Sequence, residues 1–255
     1  MIKDLVLSMV ISFALVAARM ALFVAVSPFP GPAVPTEVRV GLTLLLALTA
    51  TPLAMMGHPP EIGVPLVLAT IGEAMTGAAI GFVFRVGMSA AEVLGSTLAH
   101  ATGLTFASSY DPAQAANVDS LTRLVTTAAT LVMLAIGAHR VVIGAAVGSF
   151  RVVPLGRSLD LTAYVPGMLV WIGRALECGL GLALPAMVVS LVIQVALGLV
   201  ARAAPSLQVF SVGLSLTLAS GLFVVIAGLS DSLAGIASHL ASVGRALESV
   251  LSAAG

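Results

Sequence analysis

Glu73, Arg85, Glu92 and His100 all fall inside one apolar run, from Val64 to Thr102. Ionisable groups in such a setting are costly unless they face another helix or water, so the chemistry open to them is pairing or proton transfer. Arg85 and Glu92 are seven residues apart and share a helix face if the helix continues through Ser89. Two readings fit them: a structural ion pair, within the chain or to a partner, and a proton relay. Arg174 and Glu177, three apart in a later run, can pair on one helix face, and Gly181 on that face predicts close contact with a neighbour. Arg19 interrupts the first apolar run of the chain.

Other chemistries lack their residues. The four histidines, His58, His100, His139 and His239, are scattered without metal-ligand spacing, and neither an H-E-x-x-H nor a G-x-S-x-G pattern occurs. No catalytic residue, metal or cofactor is therefore expected. Cys178 is the single cysteine; it cannot form an internal disulfide and reads as a small buried hydrophobe. Formal net charge is zero, and nothing resembles the basic patch that nucleic acid requires.

The longest polar interval is Gly103 to Arg123, GLTFASSYDPAQAANVDSLTR. It mixes Ser108, Ser109 and Asp111 with the aromatic pair Phe106 and Tyr110. Asp111-Pro112 favours a turn, because Asp bonds its own backbone while Pro fixes φ and removes a donor. Gly103 permits backbone angles that other residues avoid, and Asp119 or Ser120 can cap a following helix. The spacing predicts a helix ending near Gly103 and another beginning near Ser120. A connection this long is either a functional loop or a solvent-exposed turn.

The elements that must position these residues are apolar helices. The chain of 255 residues is 59% hydrophobic and 9% charged, where a soluble domain carries roughly a quarter charged residues. It reads as an all-α, multi-pass membrane protein with long bent helices and hairpins. Leu5 to Val26 is long enough to cross a hydrocarbon core and is read as retained rather than cleaved, since Arg19 interrupts it. Pro28 to Pro35 form a stiff connection to the second run, Val38 to Met56. Val64 to Thr102 is too long for one straight span, about 60 Å as a helix, and Gly87-Met88-Ser89 is the expected break. Gly77 and Gly81 make a GxxxG step that lets another backbone approach.

Beyond the central loop, Leu121 to Phe150 is split by His139-Arg140, which marks either a hairpin turn or a charged spot in one helix. Leu161 to Val200 is again over-long, with Pro185 expected to kink or break it. Arg202 to Gly213 is a helix-to-helix connection holding Pro205, Gln208 and Phe210. In the tail, Leu233, Ile236, Leu240, Val243, Leu247 and Leu251 recur at three- and four-residue steps. Such a stripe predicts a helix packed on a partner or on the membrane surface. The chain thus divides into an N-terminal helical half, 1–102, a central loop, 103–119, and a C-terminal helical half with an amphipathic tail, 120–255. Basic residues are too few and spread to fix topology.

An ordered set of pieces carries a family resemblance: Arg19 with the Pro28 to Pro35 loop and Val38-Arg39; Glu73 with Gly77 and Gly81; Gly103 to Ser108 leading to Asp111-Pro112; and Arg202 to Phe210. Together they span most of the chain, which resembles the FliR family, the R subunit of the flagellar export gate, with SctT as its injectisome relative. The Arg202 to Phe210 region is more similar to flagellar members. The resemblance implies a bacterial inner-membrane, basal-body protein joined to P and Q subunits of the FliP and FliQ types in a helical cone. Axial proteins leave the cytoplasm through that cone. An FlhB-type switch protein and an FlhA-type ring protein are further implied partners. It also implies that the loop matching Gly103 to Asp119 plugs the closed channel, with Phe106 and Tyr110 filling the bore and Ser108, Ser109 and Asp111 meeting water or partner loops. Two other classes stay open on the residues alone: a small-molecule transporter, which also shows broken apolar segments with embedded charges, and an intramembrane enzyme.

Overall fold

The computed structural model describes residues 2–31, 34–55, 62–103, 120–157, 160–203 and 209–254. Every regular element among them is an α-helix: α1 (Ile2–Val26), α2 (Thr36–Ala54), α3 (Val64–Ala101), α4 (Ser120–Ala135), α5 (Ala138–Val152), α6 (Leu161–Ala203), α7 (Val209–Ala227), α8 (Leu229–Ala241) and α9 (Val243–Ala254). Four of these, in α1, α2, α3 and α6, are long and apolar enough to cross a membrane, or up to six spans if two broken helix pairs count as one each. The fold is all-α, as the apolar periodicity implies.

Glycines end helices where the sequence places them. Gly103 follows α3 at φ 76° and Gly137 precedes α5 at φ 73°, a left-handed conformation that costs other residues steric strain. The turn in the second half of the chain therefore falls at Gly137, just ahead of His139-Arg140, and both of those residues lie within α5. Two expected breaks are absent. α3 runs for 38 residues, about 57 Å, through Gly87-Met88-Ser89. α6 runs for 43 residues, about 65 Å, through Pro185. A proline removes one internal hydrogen bond, but in an apolar setting the neighbouring backbone groups can be satisfied only within a helix, so the helix continues on both sides.

The chain forms two compact units that interleave in sequence. The first takes Met1–Gly87, Gly137–Gly173 and Ala241–Gly255; the second takes Met88–Ile136 and Arg174–Leu240. Each thus draws residues from both sides of the 103–119 loop. In the first unit α1 and α2 pack as a hairpin, and α5 packs on α2 and α9. Its core is Leu15, Met20 and Phe23 of α1, Ile80, Val83 and Phe84 of α3, Val142 and Phe150 of α5, Met168 and Trp171 of α6, and Val243, Leu247 and Leu251 of α9.

The α9 part of the amphipathic tail is therefore used inside the chain: Gly244 lets α9 close on Val141 of α5, where an added Cβ would lie 2.7 Å from the valine Cγ1. The expectation of a partner or membrane surface for that stripe is corrected accordingly. In the second unit α4 buries Leu121, Val125, Ala129 and Met133, one residue every four and so one helix face. Ile236 and Leu240 of α8 are buried there too. The same unit holds an open apolar pocket of about 370 Å³, lined by Leu94, Val125, Pro185, Phe223 and Ile236 among others.

Candidate functional site: a buried ion pair joining three helices

In the first unit α1 and α3 touch backbone to backbone. A Cβ on Gly77 would lie 1.9 Å from the Arg19 carbonyl oxygen, and one on Gly81 would lie 2.8 Å from the Phe23 carbonyl oxygen. The partners advance by four residues on both helices, so α1 and α3 run in the same direction here, one turn per glycine. The GxxxG step is what permits the approach. One turn before Gly77 on the same face stands Glu73, and the close approach carries Arg19 to it.

Arg19 Nε donates to Glu73 Oε2 at 2.6 Å, and both side chains are 0% exposed. The remaining guanidinium nitrogens are also engaged: Nη1 donates to Ser149 Oγ at 3.0 Å and Nη2 to the Val153 carbonyl at 2.9 Å. Ser149 in turn donates to the Ala146 carbonyl at 2.7 Å. The guanidinium carbon lies 4.0 Å from the centroid of the Phe150 ring, a cation–π distance. Glu73 Oε1 accepts from the Gly156 amide at 3.0 Å. Burying two charges is unfavourable unless their lone pairs and protons are satisfied, and here both carboxylate oxygens and all three guanidinium nitrogens have partners. The cluster ties α1, α3, α5 and the turn after α5 at one point. Its chemistry is mechanical, because the groups are spent on one another.

Two further long-range bonds fix α6 in the same unit. Tyr164 Oη donates to the Ala79 carbonyl at 2.8 Å and Trp171 Nε1 to the Val83 carbonyl at 2.9 Å. These carbonyls sit four residues apart on α3 and already serve its helix, so each accepts with its second lone pair. Asp160 starts α6: its Oδ1 accepts from the Thr162 hydroxyl at 2.7 Å and from the Thr162 amide at 2.9 Å. Those hydrogen bonds hold its carboxyl below the ordinary carboxylate range.

The other residues singled out from sequence lie apart from this cluster. Arg85 and Glu92 are both exposed on α3, and Arg174 and Glu177 are both exposed on α6. Arg19–Glu73 is the salt bridge found among the described residues. Gly181 faces open space, with nothing within 4 Å of an added Cβ. The close approach expected there falls two residues earlier, at Gly179, whose Cβ would lie 2.6 Å from the Ala90 carbonyl and 2.8 Å from Val93 Cβ. Arg202 is exposed at the end of α6. The loop residues Phe106, Ser108, Ser109, Tyr110, Asp111 and Pro112 lie outside the described residues, as do Pro205, Gln208 and the side chain of Phe210.

Sequence reasoning marked Arg19 and Glu73 separately and missed Ser149, Phe150, Val153 and Gly156. Ser149 had one signal: it is the one hydroxyl in the otherwise apolar run from Val141 to Phe150.

Residues 10–243 match the family described as "Bacterial export proteins, family 1". The chain is 31% identical over 220 residues to the flagellar biosynthetic protein FliR of Caulobacter vibrioides, covering 85% of this chain and 88% of that protein. It is 29% identical over 214 residues to FliR of Escherichia coli, covering 82% and 80% respectively. The surface presentation of antigens protein SpaR of Salmonella typhimurium is 29% identical over 189 residues, covering 74% of this chain and 70% of that protein. Apolar helices packed on a GxxxG step, in a chain matched along most of its length, therefore lead to one conclusion: this protein belongs to the bacterial export proteins, family 1, the family of FliR and SpaR.

Proposed function

We propose that the chain is a channel-forming subunit of a flagellar type III protein export gate in the bacterial inner membrane. There it assembles with P- and Q-type subunits and passes axial proteins outward. At the coarser level the chain is a membrane component of a flagellar export apparatus, by its family and its apolar helices. The observation that carries the finer reading is the surface of α6. This helix is about twice as long as a hydrocarbon core is thick, and it leaves Leu169, Leu176, Leu184, Leu191, Val195 and Leu199 exposed along its length. Apolar surface beyond the bilayer needs protein cover, and sibling subunits of a helical cone supply it.

In this reading Arg85, Glu92, Arg174 and Glu177 are structural charges that meet partner helices or water, the condition under which such groups persist in apolar helices. Arg202, Pro205, Gln208 and Phe210 connect two helices at the cone. The loop holding Phe106, Ser108, Ser109, Tyr110, Asp111 and Pro112 is the plug of the closed channel. Non-helical backbone is tolerated at membrane depth where protein buries it or water reaches it, and many weak aromatic and polar contacts can be replaced in turn by a passing polypeptide. An FlhB-type switch protein contacts the cone from the cytoplasmic side, an FlhA-type ring protein is a further partner, and the chain itself has no catalytic residue. The similarity to SpaR supports the injectisome gate as a second reading. The test is deletion of 106–112: assembly is retained and the membrane leaks ions. Unchanged conductance in cells with the assembled deletion complex refutes the plug.

A further inference from the structure

Residues 103–119 follow Thr102 at the end of α3 and precede α4. Both junctions are held inside the second unit by the same kind of contact. Thr102 is 1% exposed and sits against α7: a Cβ on Gly221 would lie 2.6 Å from Thr102 Cγ2 and 2.9 Å from its Cα and Cβ. Thr122, in the first turn of α4, sits against α3: a Cβ on Gly95 would lie 2.6 Å from Thr122 Cα and 3.3 Å from its Cγ2. Gly95 stands seven residues before Thr102, which is two turns, nearly the same face, and about 10 Å along the helix. One face of α3 therefore carries the outgoing junction at its end and grips the returning one two turns before it.

Neither contact is made by the threonine hydroxyl. Thr102 Oγ1 donates to the Ala99 carbonyl of its own helix at 3.2 Å, and Thr122 Oγ1 is buried with no hydrogen-bond partner among the described residues. Each threonine brings instead a branched Cβ, stiff at χ1, pressed on a residue that has no side chain. Nothing at either contact can rotate to absorb a shift. α3 is also complete up to the junction: the Thr102 amide donates to the Leu98 carbonyl at 2.9 Å and the Gly103 amide to the His100 carbonyl at 3.1 Å.

We propose that Gly95, Thr102, Thr122 and Gly221 are positioning residues of the channel plug, two threonine-on-glycine clamps that fix the points between which residues 103–119 are held. A loop that closes a bore is placed only as well as its two ends, so a shift of either clamp opens the seal without removing any plug residue. The proposal rests on the reading of that loop as the plug.

The test is made in cells carrying the assembled gate. Membrane ion conductance is read beside recovery of the P- and Q-type subunits on the tagged chain and the melting midpoint of the purified complex. Gly221→Ala drives a methyl into Thr102 and is expected to raise conductance toward that of the 106–112 deletion while the subunits stay bound. Thr102→Ala only removes atoms from the contact, and is expected to leak as well. Combining the two removes the closest clash, so the double variant should leak less than Gly221→Ala alone. Thr102→Val keeps the branched shape without the hydroxyl and should stay sealed.

Gly179→Ala separates position from stability. Its Cβ would lie 2.6 Å from the Ala90 carbonyl, an equally tight contact in the same unit, but Ala90 is about 18 Å before Thr102 along α3. This variant should lower the melting midpoint by about 2–12 °C and leave conductance at the parental value.

A deletion of 106–112 that leaks, beside sealed Gly221→Ala and Thr102→Ala, overturns the clamps and leaves the plug standing. Equal leakage from Gly179→Ala and Gly221→Ala overturns them too, because conductance then follows stability. If Gly221→Ala loses its subunits, Thr102→Ala and Thr102→Val decide: a leak in the first alone is expected, and equal conductance in both overturns the clamp. A deletion that does not leak overturns the plug, and the clamps with it.

Discussion

Replacing Arg19 with methionine removes one half of a fully buried ion pair and leaves Glu73 in the interior with only the Gly156 amide for company. The Val153 carbonyl loses its guanidinium donor, while Ser149 keeps its bond to Ala146. Because both side chains are 0% exposed, solvent does not screen the loss, and breaking one side of such a pair costs about 3–5 kcal/mol. At about 2–4 °C per kcal/mol for a chain approaching this size, the midpoint of thermal unfolding in detergent should fall by about 6–20 °C, followed through Trp171 fluorescence. Arg19→Met with Glu73→Met removes both charges and should recover more than half of that loss, since paired burial and apolar replacement are often close in energy. The loss in the single variant should be the same at low and high salt. A single variant within about 2 °C of the parent, or a double variant no better than the single, refutes the view that this pair holds α1, α3 and α5 together.

The backbone contacts make a second set. Gly77→Ala places a methyl where the Arg19 carbonyl stands and should destabilise by about 2 kcal/mol or more, whereas Gly41→Ala, with open space around it, should gain about 0.5–1 kcal/mol of helix propensity. The same contrast within one turn of α6 is expected between Gly179→Ala, which destabilises, and Gly181→Ala, which does not, both read as melting midpoints. Asp160→Ala should lower the melting midpoint at neutral pH. Its carboxyl is held low in the folded state, so its contribution is present above the ordinary carboxylate pKa and fades as pH falls through the folded value. The variant and parent curves should therefore converge in acid, and a constant gap would contradict the capping role.

Much of the helical layout is legible in sequence because it rests on local rules. Gly103 stops α3 and Ser120 starts α4 for reasons contained in a few neighbouring residues. Periodicity likewise marks which face of the tail is buried. It does not say against what: α9 closes on α5, about a hundred residues earlier, and no spacing rule encodes that partner. The Arg19–Glu73 contact spans 54 positions, and Gly156 is another 83 beyond Glu73. Two lone charges in two apolar runs are a hint of pairing, but Arg85, Glu92, Arg174 and Glu177 carry the same hint and remain exposed. A glycine nearby does not separate them: Gly81 lies one turn before Arg85 and Gly95 one turn after Glu92, and both also meet a neighbouring backbone, so what sets Glu73 apart is that its close approach happens to face a residue of opposite charge. The continuity of α3 through Gly87 was hidden for the opposite reason: a glycine that favours a break locally is overruled when the helix is packed along its length.

Affinity purification of the tagged chain in mild detergent, followed by mass analysis of what remains bound, tests the gate assignment most directly. The account predicts two small hydrophobic proteins retained in several copies per tagged chain, covering the exposed apolar length of α6. A folded chain that purifies alone or only with itself would contradict it.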